Sequence, residues 1–240
     1  MAADIINKLY TRFEGNSTFL YKDLFCFIQM EFPSVAHKTI DWKIYELKSK
    51  GILTHISRGI YSLQTKKEFN PELSNNLKRI FYKIKKELTY LNLCIWDSRW
   101  LNEFMHHQIF RYYIVVETEK DGIESVFNIL SDFNKIVFLN PDKEIFQRYI
   151  INNEDVIIVK PMISESPLSE IDKIKTPALE KLLVDCLIDV DLFAAQQDEL
   201  NFIYQTAFQK YFINLNQIRR YATRRNQQTE LENIILNLKL

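Results

Sequence analysis

The stretch from Phe32 to Leu63, FPSVAHKTIDWKIYELKSKGILTHISRGIYSL, constrains the fold more than any other part of the chain. Pro33-Ser34 opens a helix, with the Ser34 hydroxyl placed to cap it. Ala36, Ile40, Ile44 and Leu47 recur at helical spacing and predict one buried face. Gly51 follows Lys48, Ser49 and Lys50, a basic last turn closed by a glycine just past the helix end. Ile52 to Ile56 and Ile60 to Leu63 then read as two strands joined across Ser57-Arg58-Gly59. Helix, glycine and hairpin in that order predict the recognition helix and wing of a winged helix-turn-helix. Such an arrangement points toward DNA before it points toward chemistry.

The residues upstream complete that pattern. Asp4 to Phe13 predicts a first helix with Ile5, Ile6 and Leu9 inward, broken at Gly15-Asn16-Ser17. Phe19-Leu20-Tyr21 predicts a short strand, and Lys22 to Met30 a second helix with Leu24, Phe25 and Ile28 apolar, ended by Phe32-Pro33. A winged domain is expected over residues 1–67. The connector Thr65 to Pro71 marks the domain junction, and a second domain is expected over 71–240.

The second domain starts with a helix from Pro71 to about Leu88, striped by Leu73, Leu77, Ile80, Phe81, Ile84 and Leu88. Short apolar runs at Leu91–Trp96, Tyr112–Thr118, Ile136–Leu139 and Val156–Val159 then alternate with helical segments at Ser98–His107, Ile123–Phe133 and Glu144–Ile151. That alternation predicts an α/β domain with a mostly parallel sheet covered on both faces. Pro161 closes the last strand, Ser164 to Thr176 reads as a loop, and Pro177 fits a helix first turn. The remainder reads as helices at 178–188, 199–211, 217–223 and 230–238. The fold class is α/β: a winged helix-turn-helix, then an α/β domain with a helical C-terminal region.

Charge locates the candidate interface. The chain is neutral overall, with 31 basic and 31 acidic residues, so any nucleic-acid signal must be local. Ser34 to Lys67 supplies one, with seven lysines and arginines against Asp41 and Glu46. With Ile40, Ile44 and Leu47 inward, Lys38, Trp42, Tyr45 and Ser49 fall on the outer face, with Thr39 beside them. Lys38 and Thr39 lie at the end of a recognition helix that reads base edges. Lys43 and Lys48 flank it within reach of phosphates, and Arg58 at the hairpin tip suits a backbone or minor-groove contact. Gln217 to Asn226 offers a second basic surface through Arg219, Arg220, Arg224 and Arg225, or a solvated face pairing with Glu230 and Glu232.

Other chemistry finds little support. Only Gly15, Gly51, Gly59 and Gly122 occur, too few for a glycine-rich phosphate loop. Cys26, Cys94 and Cys186 lack metal-ligand spacing and read as buried thiols of a cytoplasmic protein. His106 and His107, adjacent on a helix, point about 100° apart and cannot share one metal. Asp97, Glu117 and Glu119 lie near strand ends, but Lys120 lacks the acid two positions before it that a metal-dependent nuclease requires. No signal peptide or membrane span is read, no cofactor or metal is expected, and the protein is not read as an enzyme. A cryptic nuclease would need those three carboxylates clustered. A protein-docking module would use Trp42 and Tyr45 or the Arg219–Arg225 helix.

Two segments carry a family resemblance. Gly51-Ile-Leu-Thr-His-Ile-Ser-Arg-Gly-Ile-Tyr61 resembles the wing ending in Arg-Gly-x-Tyr of AbiEi-type antitoxins and their transcriptional-regulator relatives. Thr176-Pro177 through Glu180-Lys181-Leu182-Leu183-Val184-Asp185-Cys186-Leu187 is similar to a Pro-x-x-Glu-(Lys/Arg)-x-(Leu)-x-Asp helix in the C-terminal domain of the same proteins. The resemblance implies a winged-helix antitoxin that represses its own operon on double-stranded operator DNA. It also implies a nucleotidyltransferase-like toxin countered without a stable complex. It puts the DNA-reading role on the helix around Lys38, Thr39 and Lys43 and on Arg58. It assigns no role to the Glu180–Asp185 helix.

Overall fold

The computed structural model of the 240-residue chain describes residues 2–13, 18–33, 35–49, 51–63, 67–132 and 136–238. Ser34, Lys50 and Lys66, the Gly15-Asn16-Ser17 break, and the side chains of Ile5 and Ile6 lie outside the described residues. The chain is a mixed α/β protein that divides into two units, Met1–Glu68 with Lys210–Asn214, and Phe69–Gln209 with Leu215–Leu240.

In the first unit the order is α1 (Ala2–Phe13), β1 (Phe19–Leu20), α2 (Tyr21–Glu31), α3 (His37–Ser49), β2 (Leu53–Ser57) and β3 (Ile60–Leu63). The strands pair antiparallel in the order β1-β3-β2, with Phe19 opposite Tyr61 and Leu53 opposite Leu63. Leu9, Phe13, Phe19, Leu24, Phe27, Ile28, Ile40, Ile44, Leu47, Leu53 and Tyr61 form its core. Helix spacing accounts for most of these, because residues three and four apart share a face. One expectation changes: Ala36 precedes the first turn of α3 and is exposed. On α2, Phe27 is buried with Leu24 and Ile28, and Phe25 packs partly buried against the same core.

The end of α3 shows how one glycine sets the chain direction. Ile52 N–H donates to Leu47 C=O at 2.9 Å and Gly51 N–H to Lys48 C=O at 3.0 Å, the paired bonds of a Schellman stop. Gly51 has φ +67, and a β-carbon there would fall 1.6 Å from Cδ2 of Phe212. Gly59 has φ +74, with nothing within 4 Å of such a carbon. Gly51→Ala therefore meets both backbone strain and a ring, Gly59→Ala only strain. We expect Gly51→Ala to destabilise the first unit by about 2–3 kcal/mol and Gly59→Ala by about 1 kcal/mol. Amide hydrogen exchange of α3 reads the difference, and equal effects would contradict the role given to the Phe212 contact.

The second unit begins with α4 (Asn75–Glu87), capped by Ser74, whose hydroxyl accepts from Leu77 N–H at 3.2 Å. Then come β4 (Leu93–Asp97), β5 (Tyr113–Thr118), α5 (Ile123–Ser131), β6 (Val137–Leu139), α6 (Lys143–Ile145) and β7 (Val156–Pro161). The sheet order is β4-β5-β7-β6, with β5, β7 and β6 mutually parallel and β4 antiparallel at the edge. One face, carrying Leu93, Ile95, Val116, Ile157 and Val159, packs on α4 and α5. Alternation turns Cys94, Trp96, Val115, Glu117, Ile158 and Lys160 to the other face.

Beyond β7 the loop expected at 164–176 is instead a hairpin, β8 (Leu168–Ile171) and β9 (Ile174–Pro177). Its turn residues Asp172 and Lys173 have φ 51 and 65. This is the left-handed pair a two-residue hairpin needs, formed without the glycine that usually announces it. Pro177 accordingly closes a strand, and α7 (Leu179–Ile188) starts two residues later. Helices α8 (Leu200–Lys210), α9 (Leu215–Arg224) and α10 (Gln228–Asn237) complete the described chain. No described helix is long and apolar enough to cross a membrane.

Candidate functional site

The outer face of α3 follows from its inner one. Because Ile40, Ile44 and Leu47 are buried, Lys38, Thr39, Asp41, Trp42 and Tyr45 are turned outward and exposed. Trp42 and Tyr45 are 59% and 58% accessible, an unusual exposure for two aromatic rings on one helix. Lys43 lies at the edge, half-buried, its ammonium 4.2 Å from the centre of the Phe32 ring. Arg58 is exposed in the β2–β3 turn. Gly59 C=O in that turn accepts from Tyr21 N–H at 2.8 Å, which ties the hairpin to the start of α2. Tyr21 also donates its hydroxyl to Asp41 of α3. Burial and that carboxylate push the Tyr21 hydroxyl up to about 12, so the link holds across ordinary pH.

The second unit contains a buried polar cluster at the centre of the sheet face opposite α4. Lys181 on α7 places its ammonium 2.8 Å from Oε1 of Glu117 on β5 and 2.5 Å from Oδ2 of Asp185, one turn along its own helix. All three side chains are at most 2% exposed. Trp96 on β4 donates Nε1–H to the same Glu117 oxygen at 2.8 Å. Tyr221 on α9 donates its hydroxyl to Asp185 Oδ1 at 2.9 Å. Arg225 bridges Asp185 and Asp189 at 3.2 Å each, and Asp189 also meets Lys160 of β7. Oε2 of Glu117 has no hydrogen-bond partner among the described residues. The cluster alternates acid and base from Glu117 to Lys160, so each buried charge except the outer oxygen of Glu117 has an opposite neighbour.

These contacts fix the ionisation states. Burial opposes the charged form of Lys181, but Asp185 and Glu117 outweigh it and hold its pKa well above the ordinary lysine value. Burial would raise Asp185, but Lys181, Lys160 and Arg225 hold it below 3.8. Tyr221 is raised, by burial first and then by Asp185. Through these contacts Lys181 and Asp185 tie α7 to β5 and to α9. Because the folded value of Asp185 is depressed, its contribution to stability is present above pH 3.8 and is lost as pH falls through the folded value. Wild-type protein should lose stability steeply below that point. Asp185→Asn should be less stable at neutral pH and show a flatter acid limb in urea unfolding. An unchanged acid limb would contradict the assignment.

Several expected sites take other positions. Of the proposed second basic surface, Arg225 is drawn inward to Asp185 and Asp189. Arg219 is clamped by Glu232 at 2.7 and 3.1 Å. Arg224 donates to Ser164, and Arg220 is exposed. The four arginines therefore do not make one open face. Nor do the nuclease carboxylates converge. Asp97 sits opposite Ile114 and caps the following turn by accepting from Arg99 N–H at 2.8 Å. Glu117 turns to the other face, and Glu119 accepts from Asn92. Among the described residues no group of three or more His, Cys, Asp or Glu could hold a metal ion.

His106 and His107 follow a 3₁₀ segment, Ser98–Phe104, so they are not helical. Glu199 collects both of their amides and the His107 ring. Cys26 is exposed, contrary to the buried thiol expected there, while Cys94 and Cys186 are buried. The buried cluster itself escaped the sequence reading. Its signal was Lys181 and Asp185 one turn apart in a helix with apolar residues on every side.

A family model described as a family of unknown function, DUF6577, matches residues 39–240. Comparison with curated proteins gives no match.

Proposed function

The chain belongs to the DUF6577 family, and we propose that it is a cytoplasmic, sequence-specific double-stranded-DNA-binding repressor of the antitoxin type. In this reading the first unit acts as a winged helix-turn-helix. Its α3 enters the major groove and its β2–β3 turn serves as the wing. Lys38 and Thr39 reach base edges, Lys43 neutralises phosphate, and Arg58 clamps backbone or minor groove. Trp42 and Tyr45 pack on sugar and base edges along the groove wall. The AbiEi resemblance extends the proposal to an operon that the protein represses itself, and to a nucleotidyltransferase-like toxin whose effect it counters.

The observation that carries the reading is the pairing of one buried and one exposed face on α3. Ile40, Ile44 and Leu47 anchor it, while Lys38, Thr39, Trp42 and Tyr45 stand clear, with the exposed Arg58 in the hairpin of the same unit. A reporter placed behind the DNA upstream of the gene tests it. Co-expression of the protein should silence the reporter, and Lys38→Ala with Arg58→Ala should restore it. Equal reporter output with and without the protein would sink the repressor reading. The same exposed aromatics also favour a second reading, in which α3 docks a protein. Loss of a partner contact on Trp42→Ala, with DNA binding absent throughout, would select it.

A further inference from the structure

Two hollows of the second unit adjoin along residues 188–196. The smaller, of about 250 Å³, lies where β6 and β7 end, with Asn140 and Pro141 just past β6 and Lys160 near the end of β7. The larger, of about 390 Å³, is walled by Ile109, Phe110, Tyr113, Ile151 and Ala195 among others. The two share Phe146, Asp191 and Leu192. In open α/β sheets ligands settle beyond the carboxyl ends of parallel strands, which is the position of the smaller hollow, while the larger lies where β5 begins. The larger hollow alone falls within the usual size of a small-molecule site.

Charge decides what fits. Lys160 is engaged by Asp189, which Arg225 also holds. Arg111, at the larger hollow, donates to the carbonyl of Ile151. Asp191 stands between the hollows, half-buried, and its carboxylate has no hydrogen-bond or ion-pair partner among the described residues. A carboxylate without a partner beside an apolar slot offers a counter-charge to a cation. Arg111 lines only the larger hollow, whereas Asp191 lines both, so a cation would be drawn to their junction.

We infer that the two hollows form one binding site for a small organic amine, with its ammonium on Asp191 and its apolar body in the slot of Phe110, Tyr113, Phe146 and Leu192. The inference is independent of DNA binding, so either can fail alone.

Phenethylamine is the probe, with neutral phenylethanol and anionic phenylacetate as counterparts, titrated into the full chain by calorimetry and by amide NMR. The amine should bind, shifting the amides of Asp191 to Gln196, and the two counterparts should bind far more weakly. Asp191→Asn should weaken the amine by about tenfold or more, as loss of a charge-assisted hydrogen bond does. Ala195→Trp, which fills the slot from an exposed position, should abolish the shifts while the unfolding temperature holds. No binding at millimolar amine would overturn the proposal. Equal binding of phenylacetate, or an Ala195→Trp protein that binds as well as wild type, would do the same. Should Asp191→Asn not fold, the counterpart series and Ala195→Trp still decide.

Discussion

Lys181→Met should be the most damaging single substitution in the second unit, destabilising it by about 3–5 kcal/mol, the usual consequence of stranding a buried charge. Methionine fills nearly the same volume, so the loss is electrostatic. Without the ammonium, the Glu117 oxygen 2.8 Å away and the Asp185 oxygen 2.5 Å away lose their shared cation in a site at most 2% exposed. Trp96 and Tyr221 each still donate one hydrogen bond, which does not replace a full charge. For a protein of this size the shift corresponds to a fall of roughly 10 °C in unfolding temperature. Adding Glu117→Gln to Lys181→Met removes one stranded carboxylate and should recover part of the loss, because partners in one network are not additive. A Lys181→Met protein within about 1 kcal/mol of wild type would show that the cluster does not hold α7 to the sheet.

The second large effect is expected on DNA. Lys38→Ala together with Arg58→Ala should weaken binding by about a hundredfold, with each base or phosphate contact contributing roughly 1–3 kcal/mol. Both side chains are exposed and neither lies in the hydrophobic core of the first unit, so unfolding of the variant should match wild type. Lys43→Ala should act more weakly on sequence preference, since its ammonium rests on the Phe32 ring and a phosphate contact carries no base information. Full binding by the double variant would remove α3 and the β2–β3 turn as the interface.

Much of the first unit was legible because its signals are local. The Gly51 stop, the i, i+4 spacing of Ile40 and Ile44, and Arg58-Gly59 each act within a few residues. The sheet of the second unit was legible in its apolar runs, which reflect burial on both faces. What escaped depended on distant partners. Arg225 read as a surface cation because Asp185, 40 positions away, was not visible as its partner. Lys181 was given no role because periodicity cannot show that α7 is buried on every side. The β8–β9 hairpin was missed because Asp172 and Lys173 take left-handed backbone without glycine. The outer face of α3 was legible as a pattern of residues, because the buried Ile40, Ile44 and Leu47 fix which side chains turn outward. The function proposed for that face is tested by experiment.

That experiment is the affinity of the purified chain for the DNA upstream of its own gene, measured by fluorescence anisotropy at two salt concentrations against a scrambled duplex. If Lys43 and Arg58 each neutralise one phosphate, affinity should fall by about twelvefold between roughly 50 and 200 mM salt. It should also exceed that for the scrambled duplex at both. Binding that ignores salt, or that treats the two duplexes alike, would contradict the account.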